Sequence, residues 1–71
     1  SKTKNIIFDY EEVIYQLWIE KKTKQIVGLG NVQFNRIQSF YPIYDLSVIK
    51  NIKADYKIFK IDEKLSVYSK I

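Results

Sequence analysis

A chain of 71 residues has room for one domain (residues 1–71) and one hydrophobic core. It contains neither Cys nor His, which excludes a disulfide staple and a thiolate or imidazole zinc site, and removes the commonest general base. With 46% hydrophobic residues, 2 Gly and 1 Pro the composition is that of an ordered core, and its formal net charge of +4 admits an anionic partner without demanding one.

The polar start, Ser1 to Lys4, precedes Asn5 to Asp9, where Ile6, Ile7 and Phe8 stand together. So short an apolar run between polar residues is expected to be a strand buried on both faces.

Asp9 to Lys24 fits two templates. Tyr10, Val13, Ile14, Leu17 and Trp18 make a helical stripe, with Asp9 and Glu12 spaced as a capping box. Val13, Tyr15, Leu17 and Ile19 equally make one face of a strand. The β-branched and aromatic content, and the lack of a Gly or Asn closing the end, favour the strand. The polar Lys21 to Lys24 is then expected at a hairpin tip, with Gln25 to Leu29 and Val32 to Phe34 as the partner strand. Either template keeps Trp18 among apolar neighbours, so a mostly buried Trp18 packed on the second half of the chain is expected. Gly28 and Gly30 lack the third Gly and the Lys-Ser/Thr of a phosphate loop, and a bulge or close backbone approach within the strand is expected. Pro42 forbids a helix through Phe40 and Tyr41, which sets an element boundary there.

From Asp45 the period changes. Leu46, Val48, Ile49 and Ile52 share one side of a helical wheel behind a credible N-cap, predicting a short helix over 45–54. Tyr56 to Ile61 and Leu65 to Lys70, joined by Asp62, Glu63 and Lys64, then read as a second hairpin. A rival reading runs the helix on to Lys64, which would align Lys50, Lys53, Lys57, Lys60 and Lys64 in one basic stripe.

The expected fold is therefore α+β: an antiparallel sheet of four or five strands with one helix packed on it. Asp9, Glu11 and Glu12 are the nearest thing to an acid/base or cation cluster, and such a group is ordinarily a solvated strand end. The inventory points to no enzyme, no metal and no cofactor. No run of 18 uncharged residues exists, so a transmembrane segment is not expected. The compartment stays open, with the cytoplasm the default expectation.

Eleven aromatic residues, counting Phe, Trp and Tyr, are more than so small a core hides. Phe40, Tyr41 and Tyr44 flank Pro42 and are the expected protein-binding patch, since such side chains bury large area at low entropic cost. The leading functional expectation is a small non-enzymatic protein-interaction module that also self-associates through the uncharged edge of Gln25 to Phe34. The alternative is a basic nucleic-acid-binding protein using Arg36, Lys50, Lys53, Lys57, Lys60 and Lys64 with tyrosines.

Overall fold

The computed structural model describes residues 3–71. Three strands come first, β1 (Thr3–Tyr10), β2 (Val13–Ile26) and β3 (Gly30–Ile43). Helix α1 (Leu46–Asp55) follows, and the chain closes with β4 (Tyr56–Lys60) and β5 (Leu65–Lys70). All strand pairs are antiparallel and the sheet order is β3-β2-β1-β5-β4. The expected α+β class holds, with five strands and one helix.

Each turn has a local cause. Glu11 and Glu12 join β1 to β2 with positive φ values of 49° and 69°, the mirror-image turn whose twist suits a hairpin. Asp9 Oδ1 closes it by accepting from the Glu12 N–H at 3.0 Å. Between β4 and β5, Asp62 Oδ1 accepts from the backbone N–H groups of Lys64 and Leu65, each at 2.8 Å. Those bonds hold the Asp62 carboxyl below its usual pKa. The two turns abut, because the Glu11 N–H donates to the Lys64 carbonyl at 2.9 Å.

The helix starts where the cap predicts. Asp45 Oδ1 accepts from the Ser47 hydroxyl at 2.7 Å, the Ser47 N–H at 2.9 Å and the Val48 N–H at 3.4 Å. It ends at Asp55, where Tyr56 turns to extended backbone (φ −120°, ψ 148°). The rival helix to Lys64 is thereby excluded.

Period-two alternation sends successive side chains to opposite faces. One face carries Ile7, Ile14, Ile43 and Tyr68 from four different strands, and Ile52 of α1 seats on them as the core, with Ile49 and Tyr56 packed alongside. Burial on this face raises the Tyr68 pKa, with the Asp9 charge adding to the effect.

Four expectations are corrected. The strand at Asn5 to Asp9 is not buried on both faces: Ile7 is buried under the helix, while Ile6 and Phe8 are half-buried on the other side. The hairpin tip is not at Lys21 to Lys24, which lies inside β2; the turn is Val27 to Leu29, where the Leu29 N–H donates to the Ile26 carbonyl at 3.0 Å. Gly28 (φ 86°) and Gly30 (φ 74°) mark no bulge within a strand and no close approach. They supply the positive φ this turn needs, with open space where a Cβ would stand. The partner strand is therefore β3, and Pro42 sits within it, opposite Tyr15, instead of marking a boundary. An edge strand tolerates a residue with no N–H to donate. The bulge lies elsewhere, at Gln38, where the register shifts between Ser39 opposite Trp18 and Ile37 opposite Ile19.

Candidate functional site

The sheet has two faces and the described residues supply one helix. On the uncovered face β1 places Ile6, Phe8 and Tyr10, and β2 places Val13, Tyr15, Leu17 and Ile19. From β3 come Ile37, Phe40 and Pro42, and from the far side Leu65, Val67 and Phe59. Ile37 is 65% exposed, Phe40 54% and Phe59 50%. At its centre the rings of Phe8, Tyr15 and Phe40 stack on one another, with centroids 5.3–6.1 Å apart and planes within 23°. No strand acid points to this face, since Asp9 and Glu20 both alternate to the helix side; Lys4, Lys21 and Lys57 stand toward its margins. A groove of about 340 Å³ lined by Lys4, Ile6, Ile19, Lys21 and Asn35 marks its end toward the β2–β3 tip.

A second feature projects from the sheet. Among the described residues β1 accompanies β2 only as far as Thr3 opposite Glu20; beyond that β2 and β3 continue as a two-stranded arm through Ile26 opposite Gly30. The molecule is accordingly 48 Å long and 25 Å wide. Residues 21–36 carry Lys21, Lys22, Lys24 and Arg36 and no acid, so the arm holds the whole formal net charge of +4 and the rest of the chain sums to zero. Glu20 at the arm's base lies 3.8 Å from both Lys22 Nζ and Arg36 Nε. The opposite end of the long axis carries Asp9, Glu11, Glu12, Asp62 and Glu63 around the two abutting turns, against Lys60 and Lys64, and so stays net acidic. The molecule is electrically polar along its strands.

The expected site residues scatter. Phe40 belongs to the open face, but its neighbour Tyr41 alternates to the helix side, and Tyr44 lies past β3, 74% exposed. Tyr41 instead closes a polar chain across three strands. Trp18 Nε1–H donates to Tyr41 Oη at 3.2 Å, Tyr41 O–H to Gln16 Oε1 at 3.0 Å, and Gln16 Nε2–H to Asn5 Oδ1 at 2.9 Å. Trp18, expected mostly buried among apolar residues of the second half of the chain, is only partly buried, and its partner there is the Tyr41 hydroxyl. Lys50 and Lys53 ride on α1, Lys57 and Lys60 alternate to opposite sides of β4, Lys64 sits in the following turn and Arg36 is at the base of the arm. They share no face.

The acids make no built centre either. Asp9 is engaged in closing its turn, and Glu12 lines an open groove of about 360 Å³ with Asp9, Tyr44, Leu46 and Lys53. Among the described residues no group of three or more acids is placed to hold a metal ion. None of the helices is long and apolar enough to cross a membrane. The open face had a sequence signal in the alternation of Val13, Tyr15, Leu17 and Ile19; the arm's charge did not, because it needs the position of the turn. No family model, curated protein or solved structure matches this chain.

Proposed function

We propose that the protein is a non-enzymatic interaction module that binds another protein on its open sheet face, and that a second copy of the chain is the partner this face fits. The carrying observation is the uncovered apolar face with its Phe8–Tyr15–Phe40 cluster. Five strands at about 4.8 Å spacing and about 20 Å of strand give roughly 500 Å² in flat projection. That is the size of patch that marks an interaction site on a monomer. Doubled across an interface, it reaches the roughly 1,000 Å² that a specific complex needs.

Charge polarity selects the arrangement. Two such sheets stack face to face about 10 Å apart as a sandwich. A two-fold axis perpendicular to the strands sets the acidic end of one copy over the basic arm of the other, while an axis along the strands would set like charges together. The test is sedimentation from about 1 μM to about 300 μM, spanning the affinities expected of a small interface. A concentration-dependent dimer is expected, reduced to monomer by Phe40→Glu with Val67→Lys. A wild type that stays monomeric throughout overturns the self-association.

The nucleic-acid reading is supported by the arm's charge and no longer by a lysine stripe. Its cations would be Lys21, Lys22, Lys24 and Arg36, giving a log–log salt slope of at most about −3.6 on duplex DNA.

A further inference from the structure

The arm's end is chemically unlike its shaft. The turn reads Ile26-Val27-Gly28-Leu29-Gly30, without one polar side chain, and Val27 is 102% exposed and Leu29 73%. Turns are ordinarily built from Gly, Asn, Asp, Ser and Pro. The positive φ angles account for the two glycines; nothing in the turn's geometry requires aliphatic residues at positions 27 and 29. They contact no part of the core, which lies under α1 at the other end of the strands.

Directly behind this tip stands the charge. Lys24 is two residues, or about 7 Å, behind Ile26, and Lys22 and Lys21 follow at about 14 and 17 Å. Phe34, opposite Lys22 and 44% exposed, adds an aromatic ring at that level. An aliphatic end followed by a cationic and aromatic collar matches the profile of a lipid surface. Apolar side chains settle about 5–10 Å into the headgroup and acyl boundary, and lysines remain at the level of anionic headgroups. We propose that the β2–β3 tip is a membrane-contacting site that inserts Val27 and Leu29 into anionic lipid, with Lys21, Lys22 and Lys24 on the headgroups. Thr23, Gln25, Asn31 and Gln33 form a polar, uncharged face of the shaft, while Lys22 and Lys24 share the other face with Val32 and Phe34. Nucleic acid would use the same lysines but would leave Val27, the most exposed apolar side chain among the described residues, and Leu29 beside it without a role, so lipid accounts for more of what is seen.

The test is co-sedimentation with vesicles of phosphatidylcholine alone and with about 30 mol % phosphatidylserine, whose charge should add roughly fivefold per nearby lysine. Wild type is expected to sediment with the anionic vesicles and not with the neutral ones. Val27→Asp with Leu29→Asp changes only exposed side chains and should weaken binding about a hundredfold, roughly tenfold per lost aliphatic group, with an unchanged far-UV CD spectrum. Lys21→Gln with Lys24→Gln should cut the preference for phosphatidylserine about twenty-five-fold, leaving the share of Lys22. The inference is overturned if wild type ignores both vesicles, or if the Asp variant binds as wild type does. It is also overturned if a DNA duplex strips the protein from vesicles while the Asp variant keeps full duplex affinity. Phe40→Glu, on the other surface, leaves the tip intact, so loss of dimer and loss of lipid binding are read separately.

Discussion

Ile52 is the single buried residue of α1, 5% exposed, and it seats among Ile7, Ile14, Ile43 and Tyr68 with Ile49 of the same helix packed beside it. Ile52→Ala removes three carbons from this contact and leaves a hole bounded by four strands. Buried Ile→Ala substitutions cost about 2–5 kcal/mol, the upper range applying where the surroundings cannot collapse. A hydrogen-bonded sheet holds all four of these neighbours, three isoleucines and a tyrosine, apart, so about 3–4 kcal/mol is expected. A domain of this length has about 4–11 kcal/mol in total. The variant should therefore lose from about a quarter to nearly all of that stability, whereas Ile52→Val should lose about 1 kcal/mol. Urea unfolding followed by far-UV CD, at a concentration low enough to keep the chain monomeric, measures both. A loss below about 1 kcal/mol for Ile52→Ala would show that the helix is not what holds this face, and the assignment of the core would fail with it.

Three further outcomes follow from the turns, the cap and the buried tyrosine. Replacing Glu11-Glu12 by Asn-Gly should raise stability by about 1–2 kcal/mol, because both glutamates occupy positive φ and Asn-Gly suits that turn; no gain in the urea midpoint would refute the strain. The Asp45 carboxyl is held below its usual pKa by the Ser47 hydroxyl, then by the Ser47 and Val48 N–H groups, so its contribution is present above about pH 3.8 and lost as pH falls through the folded-state value. Asp45→Asn keeps a cap acceptor, so stability should match wild type at pH 7 and fall less steeply below pH 4, where Asp62 still titrates; an unchanged acid limb would count against the cap. Burial, aided by Asp9, raises the Tyr68 pKa, so stability is present below about pH 10 and lost above it as the unfolded chain ionises first. Tyr68→Phe should flatten that alkaline limb in thermal melts, and a limb as steep as wild type's would reject the assignment.

The fold was legible wherever a core imposes contrast between inside and outside. Asp45 and the apolar spacing behind it place the helix within one residue of its span, and Asp62-Glu63-Lys64 places the last turn. Legibility stopped at the arm. Lys21 to Lys24 looked like a loop because an arm beyond the helix has no buried side, and a strand with two wet faces shows no period of two. The deciding signal was Gly28 and Gly30, whose positive φ fixes the turn, and it was outweighed by composition. Consecutive aromatics misled for the converse reason. Phe40 and Tyr41 adjoin in the chain, and the pleat sends them to opposite sides. Sequence alternation shows that a strand has an apolar face; it does not say which of two apolar faces one helix will cover.

Taken together, the two proposed surfaces constrain each other. A two-fold axis perpendicular to the strands points the arms of a sandwich dimer in opposite directions, with the tips separated by roughly the length of the molecule or more. Only one tip can then reach a given flat bilayer, so dimerisation brings no avidity on one surface. The second tip is free to meet another vesicle. Wild type at concentrations above its dimer constant should therefore cluster phosphatidylserine vesicles, seen as a rise in light scattering, and high salt should reverse it by screening the lysines. Phe40→Glu with Val67→Lys should bind vesicles with the same affinity per chain and cluster none. The Val27→Asp with Leu29→Asp variant should dimerise and fail to bind. Vesicle binding tightened tenfold or more by dimerisation, without clustering, would mean that both tips face one membrane, and the perpendicular axis derived from the charge polarity would be wrong.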